Sequence, residues 1–332
     1  MGFGRVLTQP IGGGVVVGCV GCDEEEEEGT VIVRSMLSRL EPVSHARRYC
    51  FLLFGVLVIL ALYQYLFFSL SYSLYAWQLY RIGASRYTVM VESGNHTVTA
   101  AAAASVTPLI LHQTYRTRDS VPSKWHNTSE SCRQKHAHWT HQYFWTDETG
   151  RDFIKQHFSA DALANYDSYM FPIQRADALR YYVLFHYGGV YLDLDIGCLY
   201  ALDHRGVTRY PFALASTVPI GFSNDFIMAQ RGHPFLLHLI ERLPRYNQWY
   251  INYYLTVMYS TGPMFLTVNY IEYMHKMMAV AAQTTTQPVE YAIYVLNETL
   301  YGAINHTESL FYHVEGSSWH NYKTPVVITQ SS

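Results

Sequence analysis

The run Gly188-Gly189-Val190-Tyr191-Leu192-Asp193-Leu194-Asp195-Ile196 decides how this chain is read. Apolar and polar side chains alternate through it. It therefore reads as a strand with Val190, Leu192, Leu194 and Ile196 on one face and Tyr191, Asp193 and Asp195 on the other. Two carboxylates two residues apart on one strand face repel unless something positive sits between them. The run itself holds no Lys or Arg, and a hard divalent cation with oxygen ligands meets the need. Held open on one side, such a cation can grip a diphosphate and neutralise a departing phosphate oxygen. An Asp-x-Asp tripeptide is common, however, and a solvated pair at a strand end is read from it just as simply.

The residues just upstream add weight. Residues 173–187 read as a helix, with Pro172 suited to the first turn and Gly188-Gly189 as its stop. Along it lie Arg175, Asp177 and Arg180. Asp177 and Arg180 are three apart and share a face, either as a local ion pair or as a polar surface turned toward the ligand of the Asp strand.

Working outward, short apolar runs at 108–112, 142–145, 211–215 and 226–229 read as further strands, and 160–169 and 235–243 as helices. Such alternation implies an α/β fold, a mainly parallel sheet covered by helices. Ligands of these sheets bind beyond the carboxyl ends of the strands, where the polar residues of the motifs fall.

The N-terminal third is different in kind. Eight of the 21 glycines and the acidic run Asp23–Glu28 fall within residues 1–30. Residues 1–48 read as a solvated tail. Residues 49–80 carry no charged side chain and begin with a strongly apolar half, which reads as a single membrane-spanning helix continuing into the headgroup zone. Arg47 and Arg48 precede it, which puts the N-terminus in the cytosol and residues 81–332 in the lumen. Residues 81–107, with the Thr- and Ala-rich stretch 97–107, read as a stalk, and 108–332 as the globular domain. Sequons at Asn95, Asn127, Asn297 and Asn305 all follow the span, in agreement with a lumenal domain.

Composition excludes some classes. The 332 residues carry a formal net charge of -3 with only 15% charged side chains, so a nucleic-acid binder is not expected. The 49% hydrophobic content can bury a real core. Five scattered cysteines do not make a disulfide scaffold. Cys19 and Cys22 form a lone C-x-x-C, and Cys50 at the membrane edge is a candidate for palmitoylation. Cys132 and Cys198, in an oxidising lumen, are free to pair, which spacing does not decide. His136, His138 and His141 around Trp139 lack a cysteine or an i,i+4 pair and read as an exposed polar stretch rather than a zinc site.

From Arg175 through Asp195 the sequence Arg-Ala-Asp-Ala-Leu-Arg-Tyr-Tyr-Val-Leu-Phe-His-Tyr-Gly-Gly-Val-Tyr-Leu-Asp-Leu-Asp resembles the signature of the DxD sugar-transfer proteins, glycosyltransferase family 32. In order along the chain, His112-Gln-Thr, Trp145-Thr-Asp147, Asn224-Asp-Phe, Gly232-His-Pro-Phe235, Ser260-Thr-Gly-Pro-Met-Phe265 and Ser317-Ser-Trp-His320 resemble other parts of that family. The resemblance implies a GT-A-like, Rossmann-type nucleotide-sugar-binding domain after a single N-terminal transmembrane helix. It also implies a Mn²⁺ (or Mg²⁺) cofactor.

Carried onto this chain, the resemblance makes Asp193 and Asp195 metal and diphosphate ligands, with His320 completing the metal shell. It gives Asp177 the donor-sugar hydroxyls and Arg180 the sugar or phosphate. His112, Trp145, Tyr191, Asn224, Ser318 and Trp319 would complete the donor site. Within the family, residues 256–266 look most like the inositol-phosphoceramide mannosyltransferases of sphingolipid synthesis, with Gly262 and Pro263 toward the acceptor. The implied protein is a retaining mannosyltransferase, a single-pass type II Golgi membrane enzyme using GDP-mannose and a sphingolipid acceptor. A regulatory subunit or oligomer stays open. The alternatives are a glycan-directed α-1,6-mannosyltransferase, a glycolipid galactosyltransferase, or a non-catalytic lumenal scaffold that binds sugar nucleotides.

Overall fold

The computed structural model describes residues 105–217, 221–281, 293–296, 298–302 and 308–316, and, nearer the N-terminus, 10–11, 14–15, 47–63, 66, 70, 74 and 88–91. The chain divides into two units, Met1–Tyr72 and Ser73–Ser332.

In the first unit, β1 (Pro10–Ile11) and β2 (Gly14–Val15) form a short antiparallel hairpin, and α1 covers residues 47–63. Among the described residues no helix is long and apolar enough to cross a membrane. Of the helix expected over 49–80, residues 49–63, 66, 70 and 74 are helical, and the rest lie outside the described residues. The acidic run, Cys19 and Cys22 lie outside the described residues, and Cys50 is an exposed free thiol.

The second unit is built on a seven-stranded sheet. Its strands are β3 (Thr88–Val91), β4 (Ile110–Thr114), β5 (His141–Trp145), β6 (Gly189–Leu192), β8 (Phe212–Ser216), β9 (Phe222–Ala229) and β10 (Ile293–Leu296), in the spatial order β3-β10-β8-β9-β6-β4-β5. All neighbours run parallel except β9, which is antiparallel to both β6 and β8. The α/β expectation holds, with one reversed strand inside the sheet. Part of the expected stalk, Thr88–Val91, pairs in parallel with β10 as an edge strand.

Helices cover one face: α3 (Asp147–His157), α4 (Ala160–Asp167), α5 (Pro172–Tyr187), α6 (Pro234–Tyr246), α7 (Tyr253–Ser260) and α8 (Pro263–Ala281). Strand alternation sends Phe212 and Leu214 into this layer and Ala213 and Ala215 to the opposite face. On that opposite face lie α2 (His126–Lys135), the antiparallel pair β7 (Ile196–Cys198) and β11 (Phe311–His313), and α9 (Glu298–Tyr301). A Cys132–Cys198 disulfide ties α2 to β7.

Helix α5 runs through the middle of the helical layer and is buried nearly all round, from Gln174 to Leu184. Pro172 sits in its first turn, and its C-cap is Gly188 at φ +69°, followed by Gly189 at φ +103°. A Cβ at either glycine would strike neighbouring backbone or side-chain atoms, at Arg231 and Pro108 for Gly188 and at Ile110 for Gly189. The Gly-Gly pair therefore does more than end the helix: it lets the chain reverse tightly against the sheet and enter β6.

Candidate active site

β4, β5 and β6 are neighbours, and the chain leaves β4 for β5 on one side and later returns to β6 on the other. That reversal makes a crevice at their carboxyl ends, the place where open α/β sheets take ligands. A cleft of about 330 Å³ lies there. Its walls come from the segments just past the three strand ends (Thr114–Arg116, Asp147, Asp193–Asp195), from the α5 face bearing Asp177 and Arg180, from Asn224, and from Tyr253 and Pro263.

The Asp-x-Asp run is not the continuous strand its alternation suggests. β6 stops at Leu192, Asp193–Asp195 form a turn, and β7 begins at Ile196. The turn is held by four hydrogen bonds. The Asp193 N–H donates to the Asp225 carbonyl at 2.9 Å, and the Ile196 N–H to the Asp193 carbonyl at 3.3 Å. The Thr128 hydroxyl of α2 donates to the Leu194 carbonyl at 2.5 Å. Downstream of β11, the Val314 N–H donates to the Asp195 carbonyl at 3.0 Å, and the Trp125 indole N–H to the Glu315 carbonyl at 3.2 Å. Gly316 then passes so close that a Cβ there would collide with the Asp195 carboxylate.

Arg180 is the positive group the run itself lacked. Its side chain is 2% exposed, 2.8 Å from Asp177 and 3.4 Å from Asp193. It also donates to the Asn224 carbonyl and lies over the Tyr191 ring at 4.4 Å. Burial works against its charge, but the fields of Asp193, Tyr191 and Asp177 outweigh burial and hold the guanidinium above its usual range. Asp177 accepts additionally from Asn224 Nδ2 at 2.9 Å and Thr261 Oγ1 at 3.2 Å. Its carboxyl is raised by burial against these three partners. Asp177 thus ties α5 to β9 and to the α7–α8 corner.

Asp193 receives the Tyr191 hydroxyl at 2.7 Å. Even so, burial raises its carboxyl, with Arg180 opposing and the fields of Asp195 and Asp225 adding to the rise. Asp195 is raised by burial and then by Asp225. Asp225, across the sheet from Asp193, takes the Tyr301 hydroxyl on one oxygen at 2.5 Å, while its other oxygen is shut from solvent with no hydrogen-bond partner among the described residues. Asp193 therefore shares Arg180 with Asp177, while Asp195 and Asp225 add negative charge beside it. Asp193 and Asp195 offer the cleft the carboxylate oxygens that a hard divalent cation takes, although the carboxylates of Asp193, Asp195 and Asp225 do not all come within 4.8 Å of one another. Mn²⁺ or Mg²⁺ fits the Asp193–Asp195 pair.

The residues expected from sequence divide. Asp177, Arg180, Tyr191, Asp193, Asp195, Asn224 and Pro263 line the one cleft, and Gly262 sits beside Pro263 at the start of α8. His112 and Trp145 do not line it. The Trp145 indole N–H donates to His112 Nδ1 at 3.1 Å, and His112 Nε2–H donates to the Gly188 carbonyl at 2.9 Å. Both stack with Tyr143 and Tyr187 behind the strands. Ser318, Trp319 and His320 lie outside the described residues, as do Asn95, Asn297 and Asn305; Asn127 is exposed on α2. Arg116, Asp225, Thr261 and Tyr301 were not singled out from sequence. Asp225 and Thr261 carried a signal, as members of the Asn224-Asp-Phe and Ser260-Thr-Gly-Pro-Met-Phe265 runs.

Residues 122–211 match the family described as the glycosyltransferase sugar-binding region containing a DXD motif, so this chain carries that region, with Asp177, Arg180, Tyr191, Asp193 and Asp195 inside it. Inositol phosphoceramide mannosyltransferase 1 of Schizosaccharomyces pombe is 39% identical over 223 residues, 67% of this chain and 65% of that protein. Inositol phosphoceramide mannosyltransferase 3 of the same yeast is 38% identical over 68% of this chain and 59% of its own length. A mannosyl phosphorylinositol ceramide synthase of Saccharomyces cerevisiae is 38% identical over 64% of this chain and 52% of its own length. The chain thus spans between about half and 65% of the length of these relatives.

Proposed function

We propose that this carrier of the DXD sugar-binding region is a glycosyltransferase of GT-A type that moves mannose from GDP-mannose to an inositol-phosphoceramide acceptor. The observation that carries the reading is the pair Asp193 and Asp195 lining the crevice beside Asp177 and Arg180, all on the segment that matches the family. The acceptor is taken from what the relatives' names state.

Asp193 and Asp195 would hold Mn²⁺ or Mg²⁺, which when bound neutralises charge on the leaving diphosphate. Arg180 sits between Asp177 and Asp193 and presents fixed positive charge to the same side, while Arg116 faces the cleft from the end of β4. Both are placed to meet phosphate oxygens. Asp177 and Asn224 form one hydrogen-bonded unit that lines the cleft and can receive sugar hydroxyls. A GDP-mannose donor has an α linkage, so an α-mannoside product means retention. Asp177 already accepts from three groups, which disfavours it as a nucleophile and favours front-face attack by the acceptor hydroxyl, assisted by the leaving phosphate.

The acceptor side is apolar. Pro172, Ile173, Tyr253 and Pro263 line the cleft, and next to them Met170 (59% exposed), Trp249 (52%) and Ile251 (58%) stand in solvent. Phe171 joins them, packing edge-on to Tyr253 at 4.6 Å and lying 6.4 Å from Trp249. Such a rim suits a lipid-borne headgroup better than a free glycan. The α7–α8 hairpin, broken at Thr261-Gly262, is packed into the helical layer through Val257, Phe265, Leu266 and Tyr270. The intramolecular disulfide supports an oxidising, Golgi-lumenal domain on a type II anchor.

Purified full-length chain should transfer radiolabelled mannose from GDP-mannose to inositol-phosphoceramide vesicles in Mn²⁺, and fail to do so with UDP-galactose. Transfer to oligomannose glycan alone would replace the lipid reading with the glycan-directed one. Donor binding with no turnover on either acceptor would leave a scaffold.

A further inference from the structure

The histidine stretch after α2 holds a second group of metal-type donors, away from the cleft and unlike it in chemistry. His138 Nε2 is 2.7 Å from Asp203 Oδ2, and His204 Nε2 is 3.7 Å from the same oxygen. The donor atoms of all three residues lie within 4.8 Å of one another, and the His138 and His204 rings stack at 5.0 Å with only 20° between their planes. Donors sharing a tetrahedral ion at ~2.1 Å sit about 3.4 Å apart, so the observed spacings bracket what is required. The 72% exposed His204 side chain is free to close the difference.

The framework around these donors is rigid. The two loops that carry them follow α2 and β7, which the Cys132–Cys198 disulfide joins. His136, expected from sequence to be exposed, is buried and braces the loops: its Nδ1–H donates to the Cys132 carbonyl at 2.7 Å and its Nε2 accepts the Leu202 N–H at 3.0 Å. The 201–206 turn is closed by the Val207 N–H to the Leu202 carbonyl at 2.9 Å and the Gly206 N–H to the Asp203 carbonyl at 2.9 Å. The buried Trp139 indole donates to Asp203 Oδ1 at 3.0 Å. That bond orients the carboxylate and leaves Oδ2 for the ligand, the outer support a metal-binding carboxylate normally has.

We propose that His138, Asp203 and His204 form a binding site for a borderline transition-metal ion of the Zn²⁺ class, with water completing the tetrahedron. Two imidazoles and one carboxylate select such ions, whereas the oxygen-only cluster at Asp193–Asp195 selects Mg²⁺ or Mn²⁺. Binding at His138 Nε2 takes the lone pair of that nitrogen, so the ring proton sits on Nδ1 and the ion replaces the hydrogen bond between His138 Nε2 and Asp203 Oδ2. The bound ion links the loop after α2 to the loop after β7, in parallel with the disulfide.

The test is Co²⁺ titration of untagged full-length chain, read by its visible absorption. The expected result is one intense tetrahedral band per chain, removed by equimolar Zn²⁺ and unaffected by excess Mg²⁺. The exposed-residue variant His204→Ala should weaken binding at least tenfold, and Trp139→Phe, which keeps the ring and removes the N–H, by about tenfold or more. Asp193→Ala should leave the band unchanged. Absence of a band in the parent chain, or an undiminished band in His204→Ala with a normal melting curve, overturns the proposal.

Discussion

Two aromatic-and-acid neighbourhoods flank the same three strands, and they differ in what is left over. Behind the strands, His112 and Trp145 spend their polar atoms on each other and on a backbone carbonyl. At the carboxyl ends, Asp193 shares one arginine with Asp177, the fields of Asp195 and Asp225 add negative charge, and one Asp225 oxygen has no hydrogen-bond partner among the described residues. The first region is satisfied and therefore structural. The second is short of positive charge and therefore able to take a ligand. Unspent bonding capacity, more than residue type, separates a site from a core.

The sharpest way to break this contrast is Asp193→Ala. Transfer should fall on the order of 10³-fold, because charge on the leaving group loses its support. The melting temperature should hold or rise, since removing one of three crowded carboxylates relieves repulsion. An active Asp193→Ala protein would sink the proposed role of the cleft. Arg180→Met separates the two kinds of loss: it strands the buried Asp177 carboxylate and should cost about 3–5 kcal/mol in urea unfolding.

On the satisfied side, Trp145→Phe leaves His112 Nδ1 buried and unpaired, which should cost about 1–3 kcal/mol. The KM for the donor should stay within about twofold, because the ring does not line the cleft. A large KM effect would instead bring Trp145 back to the donor site. A further effect is one of pH. Burial pushes His112 down to about 4 despite its bond to the Gly188 carbonyl. Between that value and the ordinary 6.5, the unfolded chain binds the extra proton, so stability is lost as pH falls through this window, by up to about 1.4 kcal/mol per pH unit. His112→Phe should flatten that limb of the melting-temperature profile; an unchanged limb would assign it to His136, His233 and His238, which burial also lowers.

Which parts were legible beforehand follows from how far their causes reach along the chain. Pro172, the Gly188-Gly189 stop and the apolar runs act over a few residues, so α5, β4 and β5 appear within about two residues of where patterning puts them. The alternation through 190–196 misled, because a paired strand and a strand followed by a clamped turn share the same local pattern. The reversal comes from the Asp225 carbonyl, the Thr128 hydroxyl and the Val314 N–H, all remote in sequence. The His136–His141 stretch was legible in part: His138 and His141 are exposed as expected, while His136 is buried against the Leu202 N–H, a partner more than sixty residues on.

Taken alone, the sequence determined the α/β class, the helix that feeds the acidic turn, and the shared face of Asp177 and Arg180, since three residues on a helix is a fixed geometry. Only the tertiary structure decided that Arg180 also reaches Asp193, that Asp225 joins the two carboxylates, that Cys132 binds Cys198, and that His112 and Trp145 turn away from the cleft. Each of these depends on which strands become neighbours and which face a side chain takes. Sheet order is set by the burial of whole faces, and no local run of residues encodes it.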